Sequence, residues 1–222
     1  MKKYFPSLLL ALASGSSCTN IGLADYLENP ASALTLTAFV GSVNTSGDMG
    51  TYSAGIFTGC ATFQGLLRAD CACRTMAANA GLSGSNNFIA FMSAAAYDMT
   101  CRIAGTNGQQ LNCSVPSGGP NWANMNGQKI AQGYAGLLSG NLLAPLNLTE
   151  NKGTPTATVV WTGTQAGGQY FSNGSNNCGD FTVGSVNNSV VGDFNSTSSA
   201  WLNTGTIQGC TNNGTIYCVA RP

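Results

Sequence analysis

The sequence predicts an α+β domain of short elements stapled by disulfides. Three observations predict it. Two early segments carry helical periodicity, the later chain reads as short strands, and nine cysteines sit among 29 Gly, 23 Asn, 21 Ser and 22 Thr. Clusters of these small polar residues punctuate the chain, which keeps each element short.

The amino terminus comes first in chain order. Residues 1–17 read as an export signal. Lys2 and Lys3 form the positive start, Tyr4 to Ala13 the apolar stretch, and Ser14-Gly15-Ser16-Ser17 the small-residue end. The apolar stretch is too short for a bilayer span, which takes about 20 residues. Cys18 follows directly, where bacterial lipoproteins are cleaved and acylated, with Gly15 at the place of the usual leucine. Cys18 is therefore the expected lipidation site, and removing it leaves an even eight cysteines for four bridges. An oxidising compartment suits such a set. Residues 18–50 are expected to be a lipidated tether, with Ala33 to Val40 as a possible strand within it.

The domain proper is expected over residues 51–222. Leu66, Leu67, Cys73, Met76, Ala77 and Ala80 recur mostly at steps of three and four, predicting a helix over Ala69 to Leu82 stopped by Gly81. Phe88 to Met92 reads as a buried strand. Ser93 is placed to cap a second helix over Ala94 to Ile103, ended by Gly105. Trp122 to Ile130 reads as a hairpin. Its Asn126-Gly127 favours a type I′ turn, because both residues tolerate positive φ. Thr156 to Thr164 and Thr215 to Val219 complete the predicted strands.

Composition excludes whole classes of function. Charged residues are 7% of the chain, against roughly a quarter in ordinary domains, and the net charge is zero. So few cations argue against nucleic acid as a partner. Without histidine there is no Ser-His-Asp system and no His-based zinc site. Cys71-Ala72-Cys73 is a weak metal signal. On a helix its two thiols point about 200° apart, which suits two separate bridges. Asp98, Glu150, Asp180 and Asp193 read as capping or solvated carboxylates rather than a glycosidase pair.

A series of phrases carries a resemblance. Ile56-Phe57, Gly65-Leu66, Ala69-Asp70, Cys73 and Ala80-Gly81-Leu82-Ser83-Gly84 come first. Ala96-Tyr97 with Arg102-Ile103, Asn126-Gly127, Leu142 to Asn147 and Glu150-Asn151 follow. Val160 to Thr164, Asn177-Cys178, Ala200-Trp201, Cys210 and Tyr217-Cys218 close the order. From Ser53 to Pro222 this resembles the leptospiral endostatin-like family of bacterial surface lipoproteins. The resemblance implies the C-type-lectin-like fold of endostatin. It also implies an outer-membrane, surface-exposed lipoprotein that binds host extracellular-matrix or complement-regulatory proteins and is not an enzyme. It further implies bridges Cys73–Cys218 and Cys178–Cys210. The four remaining cysteines then pair most simply as neighbours, Cys60 with Cys71 and Cys101 with Cys113. The sequence departs from the pattern in lacking the histidines of endostatin's zinc site and an arginine cluster for heparin.

Within that frame the expected function is adhesin-like binding, with a carbohydrate-binding module as the alternative. Trp122 and Trp201, set among small polar residues, are the candidate ligand-stacking residues, whereas Trp161 follows two valines and reads as core. Asn147, Glu150 and Asn151 offer oxygens for calcium. The Glu-Pro-Asn and Trp-Asn-Asp phrases of calcium-dependent sugar binding are absent, so no metal and no cofactor are expected.

Overall fold

The computed structural model describes residues 34–49, 55–109, 113–182 and 187–222. The expected export signal and Cys18 lie outside the described residues. The compact unit runs from Leu34 to Pro222, and it mixes short strands with few helices.

Its main sheet has five strands in the order β2-β8-β1-β3-β4. These are β1 (Thr35–Val40), β2 (Phe88–Ala90), β3 (Asn121–Ala123), β4 (Lys129–Gln132) and β8 (Tyr217–Ala220). β1 lies in the middle, antiparallel to β8 with Phe39 opposite Cys218, and parallel to β3 with Leu36 opposite Trp122. This corrects the expected tether at residues 18–50, because its later part is a central strand of the domain. Ala38, Phe39 and Val40 are all buried. The possible strand over Ala33 to Val40 is thus β1; covered on both faces it reads as a continuous apolar run with no alternation, which does not separate strand from tether in sequence.

Successive residues of the sheet divide between two cores. Ala38, Val40, Ile89, Trp122, Tyr217 and Val219 face one. Phe39, Phe88, Ala90, Cys218 and Ala220 face the other, which is covered by α1 (Gly65–Asn79) through Ala69, Ala72, Cys73, Met76 and Ala77. The small residues on that helix face let it lie close to the sheet. The helix ends as its sequence predicts. Gly81 takes φ +69°, its N–H bonds Ala78 O, and Leu82 N–H reaches back to Ala77 O, a Schellman ending.

The second helix is shorter than expected: α2 covers only Met99–Ile103. Ser93 does bond the start of this helix, its hydroxyl accepting from Met99 N–H at 2.9 Å. The alanines between them are diverted, since Ala94 and Tyr97 pair as a tight turn and Ala95 N–H donates to Asp180. Tertiary partners override helix propensity there. The β3–β4 hairpin forms, but its turn is not type I′. Gly127 N–H bonds Asn124 O, so Met125 and Asn126 are the central pair and Gly127 alone takes positive φ, at +77°. The Asn124 side chain accepts from both Asn126 and Gln128 N–H, which shifts the turn by one residue. A further short helix, α3 (Gly133–Leu138), follows β4.

A smaller sheet, in the order β5-β6-β7, is built from β5 (Val160–Trp161), β6 (Asn188–Gly192) and β7 (Ile207–Gly209). The predicted strand over Thr156 to Thr164 shrinks to the two residues of β5. A Cβ on Gly192 would collide with the Trp201 carbonyl oxygen, so glycine is required there.

All four expected cysteine pairs lie at bridging distance. Cα separations are 5.8 Å for Cys60–Cys71, 5.4 Å for Cys73–Cys218, 5.3 Å for Cys101–Cys113 and 5.6 Å for Cys178–Cys210. Cys71 and Cys73 leave α1 toward different partners. The second of these joins the first helix to the last strand.

Candidate ligand-binding groove

The tryptophans expected to stack ligands are core residues. Trp122 and Trp201 are both 0% exposed, so neither offers a ring face to solvent. Trp122 donates its indole N–H to Ala220 O at 2.9 Å and packs edge-on against Tyr134. Trp201 lies between Phe91 and Tyr217, with ring centroids 4.9 and 5.2 Å away. Polar neighbours in sequence gave a false sign of exposure. In a chain this rich in Asn, Ser and Thr, even core strands are flanked by them. Trp161 is buried as expected.

The carboxylates act on the backbone. Asp70 accepts from Ala90 N–H, Asp98 from Tyr170, Asp180 from Ala95, Asp193 from Asn195 and Glu150 from Ser42. Each fixes a loop or a strand end. Glu150 is buried, and its second oxygen takes a short hydrogen bond from the Ser42 hydroxyl while Asn151 donates to the same oxygen at 3.3 Å. Its oxygens are thus engaged in pinning residues 149–153 to the end of β1, rather than gathered for a cation. Among the described residues no cluster of three acidic or thiol groups is suited to a metal.

One open groove, of about 440 Å³, brings together residues that the sequence scatters. Helix α1 supplies Leu67, Asp70 and Arg74, spaced i, i+3 and i+7 on one face. β2 adds Ile89, α2 adds Arg102, the turn after it adds Gly105, Thr106 and Asn107, and Arg221 follows β8. Tyr97, 44% exposed, and Leu67, 61% exposed, give it apolar surface. Three of the chain's four arginines line this groove. The sequence showed no arginine cluster because Arg74 and Arg221 stand 147 residues apart. Only their rarity in a chain with so few charges hinted that their placement matters.

The three guanidinium groups are not equivalent. Arg102 is buried and fully committed. Its Nη2 meets Asp70 Oδ1 at 2.5 Å, and its Nη1 donates to Ala90 O at 2.7 Å and Met92 O at 2.6 Å. That pair forms the neutral floor of the groove and satisfies the outward-facing groups of the sheet edge at Ala90. Arg74 and Arg221 are half-buried and have no ion-pair partner among the described residues. Two unpaired cations above a neutral floor make the groove electropositive.

No protein-family model matches the chain, and no curated protein matches it.

Proposed function

We propose that the protein is an exported, lipid-anchored binding protein. Its domain takes the C-type-lectin-like fold and contacts host extracellular-matrix or complement-regulatory proteins without catalysing a reaction. The observation that carries this reading is the joining of first helix to last strand through Cys73 and Cys218, beside the pairing of first and last strands. The late bridge Cys178–Cys210 and the ordered phrases of the sequence support it further. The commitment of Asp70, Asp98, Glu150, Asp180 and Asp193 to backbone N–H groups fits a binding domain better than a hydrolase. A carbohydrate-binding role loses the Trp122 and Trp201 surface, and it rests instead on the groove.

Lipid anchoring is tested by Cys18→Ser, which should move the protein out of the detergent phase of membrane extracts; unchanged partitioning overturns it. Protease shaving of intact cells should degrade the domain if it faces outward. Binding of the full chain to a panel of immobilised matrix and complement proteins tests the partner. Protection from shaving, or no retention on the panel, sinks the host-contact reading.

A further inference from the structure

We propose that the groove between α1, α2 and Arg221 binds a saccharide ring carrying an anionic group, with Arg74 and Arg221 holding the anion and Tyr97 facing the ring. The inference deepens the binding-domain reading by naming a ligand class. It rests on the groove alone, so it and the host-protein reading can fail separately.

Four features of the groove lead to this chemistry. First, the anion. Arg102 is consumed by Asp70 and two carbonyl oxygens, which leaves Arg74 and Arg221 without an ion-pair partner among the described residues of a chain of zero net charge. A guanidinium fork matches the paired oxygens of carboxylate, sulfate and phosphate alike. Second, the ring. Tyr97 is among the few exposed aromatic rings of the domain, and an exposed ring covers the C–H face of a sugar while its hydroxyl stays wet. Third, the hydroxyls. Asn107 is exposed and its amide has no hydrogen-bond partner among the described residues. It presents both donor and acceptor, as neighbouring sugar hydroxyls require. Thr106 beside it donates to Cys101 O and keeps its acceptor lone pairs. Fourth, the size. About 440 Å³ is the scale of a small-ligand cleft rather than a long interface.

The same geometry disfavours an extended peptide. β2 is an edge strand, and an added strand would need its outward-facing backbone groups. Three of those are taken: Ala90 N–H bonds Asp70, Ala90 O accepts from Arg102, and Phe88 N–H bonds Ser85 O. Recognition in the groove therefore falls to side chains, which suits a compact polar ring.

The test uses the full chain and saturation-transfer NMR, which detects weak ligands. The probes are glucuronic acid, glucose 6-sulfate and glucose 6-phosphate, with glucose, acetate and inorganic phosphate beside them. At least one acidic sugar should bind while glucose does not, and which acid binds identifies the anion. Binding should weaken as salt rises from 50 to 300 mM. Arg74→Gln or Arg221→Gln should weaken it at least tenfold, and Tyr97→Ala severalfold, in variants that unfold at the wild-type temperature. If a variant fails to fold, paramagnetic broadening from a spin label on Ala78→Cys, exposed one helical turn beyond Arg74 and outside the groove lining, locates the sugar with every groove residue intact. Three results overturn the proposal: no acidic sugar binding, acetate or phosphate binding as tightly as the sugars, or affinity unchanged in both arginine variants.

Discussion

The five-stranded and three-stranded sheets hold buried polar groups by different means. In the larger sheet the means is ionic. Arg102 and Asp70 sit 2.5 Å apart beneath the groove and close the edge of β2. In the smaller sheet the means is neutral. Buried Asn177 accepts from Val190 N–H at 3.0 Å and the Ser189 hydroxyl at 3.1 Å, and its amide donates to Phe171 O. Thr162 donates to Leu202 O, and Thr164 to the Ser93 hydroxyl. The backbone differs as well. Residues 177–181 all take positive φ, from 44° to 62°, and a left-handed turn of this kind is unfavourable by about 1–2 kcal/mol per non-glycine residue. With few charges available, the domain uses its one described buried ion pair where a sheet edge needs closing. Asn, Ser and Thr hold the loops elsewhere.

The largest effect should separate the two halves through their bridges. On the chain-entropy account, the 145-residue separation of Cys73 and Cys218 is worth about 5 kcal/mol, the 32-residue separation of Cys178 and Cys210 about 4, and each short bridge about 3. Cys73→Ala/Cys218→Ala should therefore lower stability most in urea unfolding. If the double variant at Cys178 and Cys210 is worse, strain release around the left-handed turn dominates over loop entropy and the ranking is reversed.

Next in size is the ion pair. Arg102→Met leaves Asp70 buried without its cation and strips a donor from Ala90 O and Met92 O, so it should destabilise by about 3–5 kcal/mol. Replacing both partners with apolar residues should recover much of that, because no charge then remains stranded. A double variant as poor as the single one would mean that the backbone contacts, not the charge, hold the edge. The neutral hub should fall below this. Asn177→Ala removes an acceptor from Val190 N–H and a residue type that tolerates φ +44°, for an expected loss of about 2–3 kcal/mol. Protection of Val190 N–H in hydrogen exchange should fall with it. An equal loss in the two variants would erase the ionic–neutral distinction.

The two halves were also unequally legible in the sequence. Period and punctuation revealed α1 and its Gly81 ending, β2, and the hairpin, all in the larger sheet. β1 read only as a possible strand within a tether, because burial on both faces removes alternation. In the smaller sheet only β5 was signalled, inside the strand expected over Thr156 to Thr164, while β6 and β7 were not. β5 is two residues long, and Asn177 gains its role from Phe171, Ser189 and Val190 folding around it, which no local pattern encodes. Ala94 to Tyr97 looked helical because their partners, Asp180 above all, are distant in the chain. The cysteine pairing was legible through the resemblance and the even count. The groove was not, since it depends on Arg221 returning beside α1.

The smallest effect concerns the junction of the two sheets, within one core, where Tyr217 of β8 meets Trp201 beside β6. Tyr217 OH and Trp201 Nε1 are buried, lie on neighbouring rings, and have no hydrogen-bond partner among the described residues. Burial, then the nearby Asp193 charge, pushes the Tyr217 hydroxyl well above its ordinary value of 10. The folded state thus resists ionisation that the unfolded chain undergoes. The stability involved is fully present below about pH 10 and is lost as pH rises beyond it. Tyr217→Phe removes both the unpaired hydroxyl and this titration, while keeping the ring against Trp201. It should leave stability unchanged or raise it by up to about 1 kcal/mol at neutral pH, and unfolding in base should become shallower. A clear loss at neutral pH would mean that the hydroxyl has a partner, such as a water bridging it to the Trp201 indole. The junction would then belong with the hydrogen-bonded neutral half rather than the dry core of the larger sheet.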